Sequence, residues 1–138
     1  MQRNIASKLG LAEADLASAK PSPTMLAYSS YLLRVASVGS LGEILAAMAP
    51  CPCSYLEIGE RMLSSKDLDR QPLFKEWCSF YTSDESKAVV KELVVLLDKV
   101  ADEVGFGERR FMEEHFLVTS RYEYLFWDMA YKMEGWTV

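Results

Sequence analysis

Residues 41–64, LGEILAAMAPCPCSYLEIGERMLS, decide the fold class of this chain. Their apolar side chains advance by steps of four, three, four, three and four, which is the spacing of a helix face that turns inward in a bundle. The residues on this stripe are Ile44, Met48, Cys51, Tyr55, Ile58 and Met62. Because similar spacings recur along the chain and alternating strand patterns are absent, the sequence predicts an all-α protein.

The helices are expected to form a single domain that spans residues 1–138, since 138 residues are the size of one ordinary domain. Ser22 is a candidate N-cap with Pro23 at the first helical position, and Ser40 and Glu43 have the spacing of a capping box. The predicted segments are a helix over 2–10, a turn of helix within 11–20, helices over 23–38 and 41–64, a polar loop over 67–71, a short helix over 72–81, a helix from a second capping box at 82–85 to 104, and a last helix from the turn at 105–107 to about 135.

The composition excludes several classes of protein. Half of the residues are hydrophobic and 25% are charged, which excludes an intrinsically disordered chain. The net charge of −5 argues against nucleic-acid binding, which needs a basic surface. No apolar run reaches the roughly 18 residues that span a bilayer, and the N-terminal residues lack the apolar segment of a secretory signal. Three cysteines, an odd number, favour a reducing cytoplasm over a secreted disulfide framework.

Two prolines single out Cys51. Pro50 and Pro52 lie inside the helical pattern, where each removes a backbone donor and clashes with the preceding turn. A kink of this kind beside an inward thiol destabilises the helix. Local departures from the usual helix preferences are typical of functional sites. Cysteine is also one of the most buried residue types, so a role as ordinary core is the alternative.

A carboxylate interrupts the apolar stripe of the last helix. The stripe consists of Met112, Phe116, Thr119, Glu123, Phe126 and Ala130. A carboxyl group inside a bundle must be paired, bound to a metal or protonated. Glu123 is therefore a candidate general acid or base, and the alternative is an edge position with a salt bridge to Arg121 or another cation.

Three tyrosines are candidates for the wall of a binding slot. Tyr28 lies on the apolar line of the helix over 23–38, Tyr55 follows Cys51 by one turn, and Tyr81 closes the short helix. Buried tyrosines need partners for their hydroxyl groups, and several of them around one cavity would suit a flat heterocycle. The alternative for each tyrosine alone is the edge of the core.

Other kinds of site are excluded by the residues they would need. His115, the single histidine, is expected at the surface or at a helix end rather than in a catalytic pair. Cys51 and Cys53 lack the second ligand pair of a zinc site, and helical spacing points the two thiols apart. The sequence contains neither the Glu-x-x-His motif of a di-iron bundle nor a glycine-rich phosphate loop. We therefore expect no metal and no cofactor.

Two spaced motifs, Pro-Cys-x-x-x-Tyr and Tyr-Glu-Tyr-x-Phe-Trp, make this sequence similar to a known family. Over about residues 20–136 it resembles the TenA/thiaminase-II family. The segments that carry the resemblance are KPSPT at 20–24, Tyr28, EILAA at 43–47, APC at 49–51, Tyr55, EIG at 57–59, Trp77, Tyr81, SRYEYLFWDMAY at 120–131 and EGW at 134–136.

The resemblance implies an all-α haem-oxygenase-like bundle that binds no haem. Members of the family hydrolyse aminopyrimidines from degraded thiamin to hydroxymethylpyrimidine and ammonia, and they also cleave thiamin. By the same resemblance, Cys51 falls on the family's nucleophile and Glu123 on its acid/base, while Tyr28, Tyr55 and Tyr81 fall on pocket tyrosines. The implied partner is a small aminopyrimidine or thiamin derivative, with no nucleic acid and no membrane.

The resemblance also implies two differences. Cys53 stands where the family commonly carries a large aromatic residue, and the family's N-terminal helices have no counterpart in the sequence. We therefore expect an N-terminally incomplete bundle that forms a homo-oligomer, as the family's tetramers do, or that pairs with a complementing N-terminal half. The alternative function is a non-catalytic subunit that binds a pyrimidine or only assembles with a partner.

Overall fold

The computed structural model describes residues 2–137, without the side chains of Gln2, Lys66 and Asp67. The described residues form α-helices and one short 3-10 helix, with no strand among them, so the all-α prediction is confirmed. The helices are α1 (Gln2–Lys8), α2 (Glu13–Ser18), α3 (Pro23–Val38), α4 (Leu41–Met48), α5 (Pro50–Leu63), a 3-10 helix (Lys66–Arg70), α6 (Pro72–Tyr81), α7 (Asp84–Glu103) and α8 (Phe106–Lys132).

The start of α3 follows the predicted capping chemistry. The Ser22 hydroxyl accepts a hydrogen bond from the Met25 N–H at 3.2 Å, and Pro23 occupies the first turn, where no intrahelical donor is needed. Ser40 caps α4 in the same way, accepting from the Glu43 N–H at 3.3 Å. These local interactions set both helix starts where the sequence predicts them.

The predicted single helix over 41–64 is wrong, because the structure divides it into α4 and α5 at Ala49. Ala49 still donates its N–H to the Leu45 carbonyl at 3.0 Å, but Pro50 has no N–H with which to continue the ladder. Pro50 instead takes the first position of α5, which suits its fixed φ. The break places Cys51 in the first turn of a new helix.

Several other boundaries differ from the prediction by a few residues. Ser83, not Thr82, caps α7, because its hydroxyl accepts from the Ser86 N–H at 3.2 Å. The predicted polar loop over 67–71 is largely the 3-10 helix. Helix α8 ends at Lys132, short of the predicted end near 135, because Met133 adopts a left-handed conformation with φ 53° that ends the helix.

Helix α8 is the centre of the bundle and packs against α3, α4 and α5. Its close partner is α4, whose buried residues are small: Gly42, Ala46 and Ala47 lie beside Leu45 on the buried face. A Cβ added at Gly42 would lie 2.8 Å from the Met112 sulfur, so the glycine permits this approach of the two helices.

Of the predicted inward stripe of residues 41–64, four side chains are half-buried, whereas Met48, which is 54% exposed, and Cys51 lie at the cleft. The small residues on the neighbouring face let α4 pack more closely on α8, and this contact turns the larger side chains toward a cleft. Within the described residues, no helix is long and apolar enough to cross a membrane.

Candidate active site

One cleft brings together all five site residues that the sequence singled out. It has a volume of about 590 Å³ and is lined by residues from every α-helix from α3 to α8. Its lining residues are Met25, Tyr28, Ser29, Leu32, Met48, Cys51, Pro52, Tyr55, Tyr81, Val89, Leu93, Glu123 and Phe126. The lining is largely apolar, with a few polar groups that face one another across the cavity, as is typical of small-molecule sites.

A buried carboxyl–phenol pair forms the polar end of the cleft. The Tyr28 hydroxyl, on α3, donates to Glu123 Oε1, on α8, at 2.5 Å. Tyr28 is 7% exposed and Glu123 is 5% exposed. Burial, the hydrogen bond to Glu123 and the charge of Glu123 all raise the pKa of the Tyr28 phenol. The alternative of an edge salt bridge is wrong, because among the described residues Glu123 takes part in no ion pair.

Cys51 is the second partner of this carboxyl group. The thiol lies in the first turn of α5 and lines the cleft together with Glu123. Although part of the residue is exposed to solvent, burial raises the pKa of the Cys51 thiol to about 12, and the charge of the nearby Glu123 contributes to the rise. Cys51 is not core filling; that role belongs to Cys78, which is fully buried.

Aromatic rings form a second wall. The ring of Tyr55 lies 4.9 Å from that of Tyr81 and 5.5 Å from those of Trp77 and Trp127, measured between centroids. The rings are tilted against one another, which is a favourable arrangement for aromatic side chains. Three helices, α5, α6 and α8, supply this cluster, so it depends on their packing.

Some lining residues were missed by the sequence reasoning. Val89 and Leu93 from α7, one turn apart, and Met25 and Leu32 from α3 contribute apolar lining. Helical spacing places Val89 and Leu93 on one face of α7, but it does not specify which part of the protein this face lines. Only the position of α7 beside α5 directs them to the cleft.

The expected surface position of His115 is wrong, because this residue is 8% exposed. Its Nδ1 lies 2.7 Å from the Tyr31 hydroxyl, and its Nε2 lies 3.2 Å from Glu43 Oε2. His115, Thr119 and Glu123 follow one another at intervals of four residues, a signal that could have placed the histidine on the buried face. These contacts engage both ring nitrogens with partners other than Cys51.

Among the described residues, no group of three or more His, Cys, Asp or Glu side chains could hold a metal ion.

The comparisons with known proteins agree with this architecture. The model of the TENA/THI-4/PQQC family matches residues 2–133, which extends the likeness to the N-terminal side of the expected start near Lys20. The chain is 40% identical over 136 residues to an aminopyrimidine aminohydrolase of Halalkalibacterium halodurans, and 36% identical over 137 residues to one of Bacillus subtilis. Each alignment covers 99% of this chain.

Solved structures show the same likeness. A TenA homologue from P. horikoshii superimposes with a TM-score of 0.81 at 28% identity, covering 94% of this chain and 59% of that one. A TenA homologue from Pyrococcus furiosus gives a TM-score of 0.80 at 28% identity, covering 93% and 59%. The bundle therefore has the expected haem-oxygenase-like fold.

The chain is shorter than these relatives. It spans 61% of the length of the H. halodurans protein and 57% of that of the B. subtilis protein. The family match nevertheless covers nearly every residue, and the cleft contains each site residue that the resemblance singles out. The chain belongs to the TENA/THI-4/PQQC family.

Proposed function

We propose that this chain carries the reacting groups of an aminopyrimidine aminohydrolase that acts in thiamin salvage. The proposed reaction converts an aminomethylpyrimidine and water to the hydroxymethylpyrimidine and ammonia. The relatives named aminopyrimidine aminohydrolase support the reaction class. The observation that carries the proposal is the placement of Cys51 and the hydrogen-bonded pair of Glu123 and Tyr28 in one cleft with an aromatic wall.

The dimensions and lining of the cleft suit a flat heterocycle. A volume of about 590 Å³ lies within the range of roughly 300–1,000 Å³ that is usual for small-molecule pockets. We infer that the pyrimidine ring lies against the aromatic wall of Tyr55 and Tyr81, with its polar edge toward Glu123. Apolar side chains exclude water from its other side.

The first step is the attack of the thiol. A pKa of about 12 keeps Cys51 protonated near neutral pH, so a base must take the proton as the sulfur attacks. Glu123 is the carboxyl group whose charge acts on this thiol, whereas Tyr28 donates its own hydrogen to Glu123. We therefore assign the role of general base to Glu123 and the role of donor to Tyr28, which stabilises the carboxylate.

The same proton serves the next step. The sulfur forms a bond to an electron-poor ring carbon, and the protonated Glu123 gives its proton to a ring nitrogen, which neutralises the charge that develops there. The amino group of the substrate is protonated near neutral pH, so it leaves as ammonia when its bond to the exocyclic methylene breaks. Water adds to the methylene and loses one proton to the released ammonia. The ring nitrogen then returns its proton to Glu123, the bond from the ring carbon to sulfur breaks as the aromatic ring is restored, and Glu123 reprotonates the cysteine thiolate.

Thiamin cleavage is an extension of the same proposal. Thiamin carries this pyrimidine joined through its methylene to a thiazolium ring, so attack at the same carbon would expel the thiazole instead of ammonia. The three free cysteines are compatible with a reducing compartment, and we propose that the reaction takes place in the cytoplasm.

The experiment is a turnover assay of this chain with an aminomethylpyrimidine and, separately, with thiamin. We expect release of ammonia by the wild-type chain, its loss in Cys51→Ser, and its retention in the matched control Cys53→Ser, because a hydroxyl is a far weaker nucleophile than a thiol. Full turnover by Cys51→Ser would overturn the assignment. Calorimetric binding of hydroxymethylpyrimidine by a wild-type chain without turnover would favour the non-catalytic, pyrimidine-binding alternative.

A further inference from the structure

A parallel aromatic stack lies behind the Tyr28 phenol. The ring of Tyr122 lies 5.2 Å from that of Tyr28, measured between centroids, and the two planes differ by 6°. Tyr31 also contacts this ring, at 5.8 Å and 44°. Tyr28 and Tyr31 are three residues apart on α3, so the single ring of Tyr122 packs across one turn of that helix.

A polar network holds Tyr31 in turn. The Tyr31 hydroxyl lies 2.7 Å from His115 Nδ1, and His115 Nε2 lies 3.2 Å from Glu43 Oε2. Because a carboxylate only accepts, a ring with one hydrogen carries it on Nε2 and accepts at Nδ1 from the phenol. This network joins α3, α4 and α8.

A buried threonine lies one turn after His115 on α8. Thr119 is fully buried, and its hydroxyl donates to the His115 carbonyl within α8 at 2.8 Å. The His115 ring also contacts the Tyr31 ring edge-on at 5.8 Å. Tyr31 is therefore held by His115 both at its hydroxyl and at its ring, and in this position its ring packs against Tyr122.

We propose that Tyr122 is a positioning residue that holds the Tyr28 ring in the plane from which its hydroxyl donates to Glu123. The proposal rests on the proposed function of Glu123. Tyr122 and Glu123 are consecutive on α8, so one turn of this helix carries both the carboxyl group and the ring that aligns its donor. Reacting groups must be held to within about 0.5 Å and 10–20° of the productive geometry, which a stacked ring can do.

The kinetic test compares three variants of the full chain. We expect Tyr122→Leu to lower kcat about tenfold with a smaller change in KM, because a small displacement of a reacting group has an effect of this order. Tyr122→Phe, which keeps the ring, should restore most of the activity. Tyr124→Leu, at an exposed position on the same helix, is the matched control and should leave kcat unchanged. Equal losses in Tyr122→Leu and Tyr124→Leu would overturn the proposal.

A double-mutant cycle separates positioning from a general structural role. If Tyr122 acts through the Tyr28 hydroxyl, Tyr122→Leu should have little further effect on kcat in a Tyr28→Phe background. The same tenfold loss in both backgrounds would mean that Tyr122 acts independently of that hydroxyl, and the proposal would be wrong.

A measurement without turnover keeps this proposal distinct from the proposed function. The hydroxyl proton of Tyr28 should give a slowly exchanging NMR signal, assigned by its absence in Tyr28→Phe. We expect the signal to be retained in Tyr122→Phe and lost by exchange with water in Tyr122→Leu. Its persistence in Tyr122→Leu would overturn the positioning role even if the chain turned over no aminopyrimidine.

Discussion

Two opposing effects act on the thiol of Cys51. A position in the first turn of a helix favours a thiolate and lowers the pKa of cysteine, whereas burial and a neighbouring carboxylate raise it. Burial, followed by the charge of Glu123, raises the pKa of the Cys51 thiol to about 12. Cys51 therefore depends on a base at the moment of attack.

Replacement of Glu123 by glutamine should slow turnover of the substrate but speed up alkylation of Cys51. Turnover should fall by about 10²–10⁴-fold, the usual contribution of a general acid or base, because glutamine cannot carry the proton. Alkylation of Cys51 by iodoacetamide at pH 8 should become faster, because the loss of the Glu123 charge lowers the pKa of the thiol while burial remains. Each unit by which the pKa falls should raise this rate about threefold, since a less basic thiolate is also less nucleophilic.

The alkylation can be followed by mass spectrometry in a Cys53→Ser background. The matched control is Cys53 in a Cys51→Ser background, since burial is the cause of its raised pKa and the loss of Glu123 should leave its rate unchanged. An unchanged or slower alkylation of Cys51 in Glu123→Gln would contradict the electrostatic account of this site.

At the scale of the helices, one glycine sets the distance between α5 and the end of α6. A Cβ added at Gly59 would lie 2.9 Å from Thr82 Cγ2 and 3.3 Å from the Cys78 carbonyl oxygen. Tyr81 Cβ would be 3.7 Å away, so this contact lies next to the aromatic wall of the cleft. Gly59 follows Tyr55 by one turn, and its lack of a side chain therefore helps to bring Tyr55 and Tyr81 together.

Gly59→Ala should lower the free energy of unfolding. Overpacking costs about 1–3 kcal/mol, which exceeds the roughly 0.5–1 kcal/mol that alanine contributes as a better helix former. Chemical denaturation followed by circular dichroism measures the change. Gly107→Ala, in a helix position with nothing within 4 Å of the added Cβ, is the control and should be neutral or stabilising. Equal stability of Gly59→Ala and Gly107→Ala would show that the close contact relaxes without cost.

At the scale of the whole molecule, many large apolar side chains are exposed. Val38 on α3 and Phe111 on α8 line a common groove, in which both are more than half exposed. Further exposed residues of this kind include Leu33, Leu41, Met48, Val89, Val95, Phe106, Leu117, Leu125 and Trp136. Soluble monomers rarely expose apolar patches of large size, so such faces are usually covered by another chain.

We therefore propose that the chain self-associates, in line with the homo-oligomer expected from the family resemblance. Each fully buried apolar side chain of this size contributes roughly 1.5–3 kcal/mol, and association itself costs about 4–15 kcal/mol, so several of these side chains must be buried together for a stable contact. Sedimentation equilibrium should give a mass above the 15.6 kDa of one chain at micromolar concentration. Phe111→Lys should shift the equilibrium toward the monomer, while Lys91→Ala, at an exposed polar position, should not. A monomer at every concentration would contradict this prediction.

Local chemistry determined much of the secondary structure. Ser22 and Pro23 define the start of α3 because a hydroxyl cap and a residue without an N–H satisfy the first turn within four residues of sequence. The prolines at positions 50 and 52 likewise mark an interruption, although the sequence alone did not show that the helix divides at Ala49. Two motifs, on α5 and α8, together with single tyrosines on α3 and α6, also sufficed to select the family and five residues that meet in one cleft.

Only the tertiary structure decided which face meets which neighbour. Helical periodicity identifies an apolar face, but the close approach permitted by Gly42, Ala46 and Ala47 determines that this face of α4 packs on α8 and that Met48 turns to the cleft. The partner of Glu123 is a phenol 95 residues away in sequence. No local rule specifies such a pair, because it depends on how α3 packs against α8. The packing of α3 and α4 on α8 likewise buries His115 against expectation.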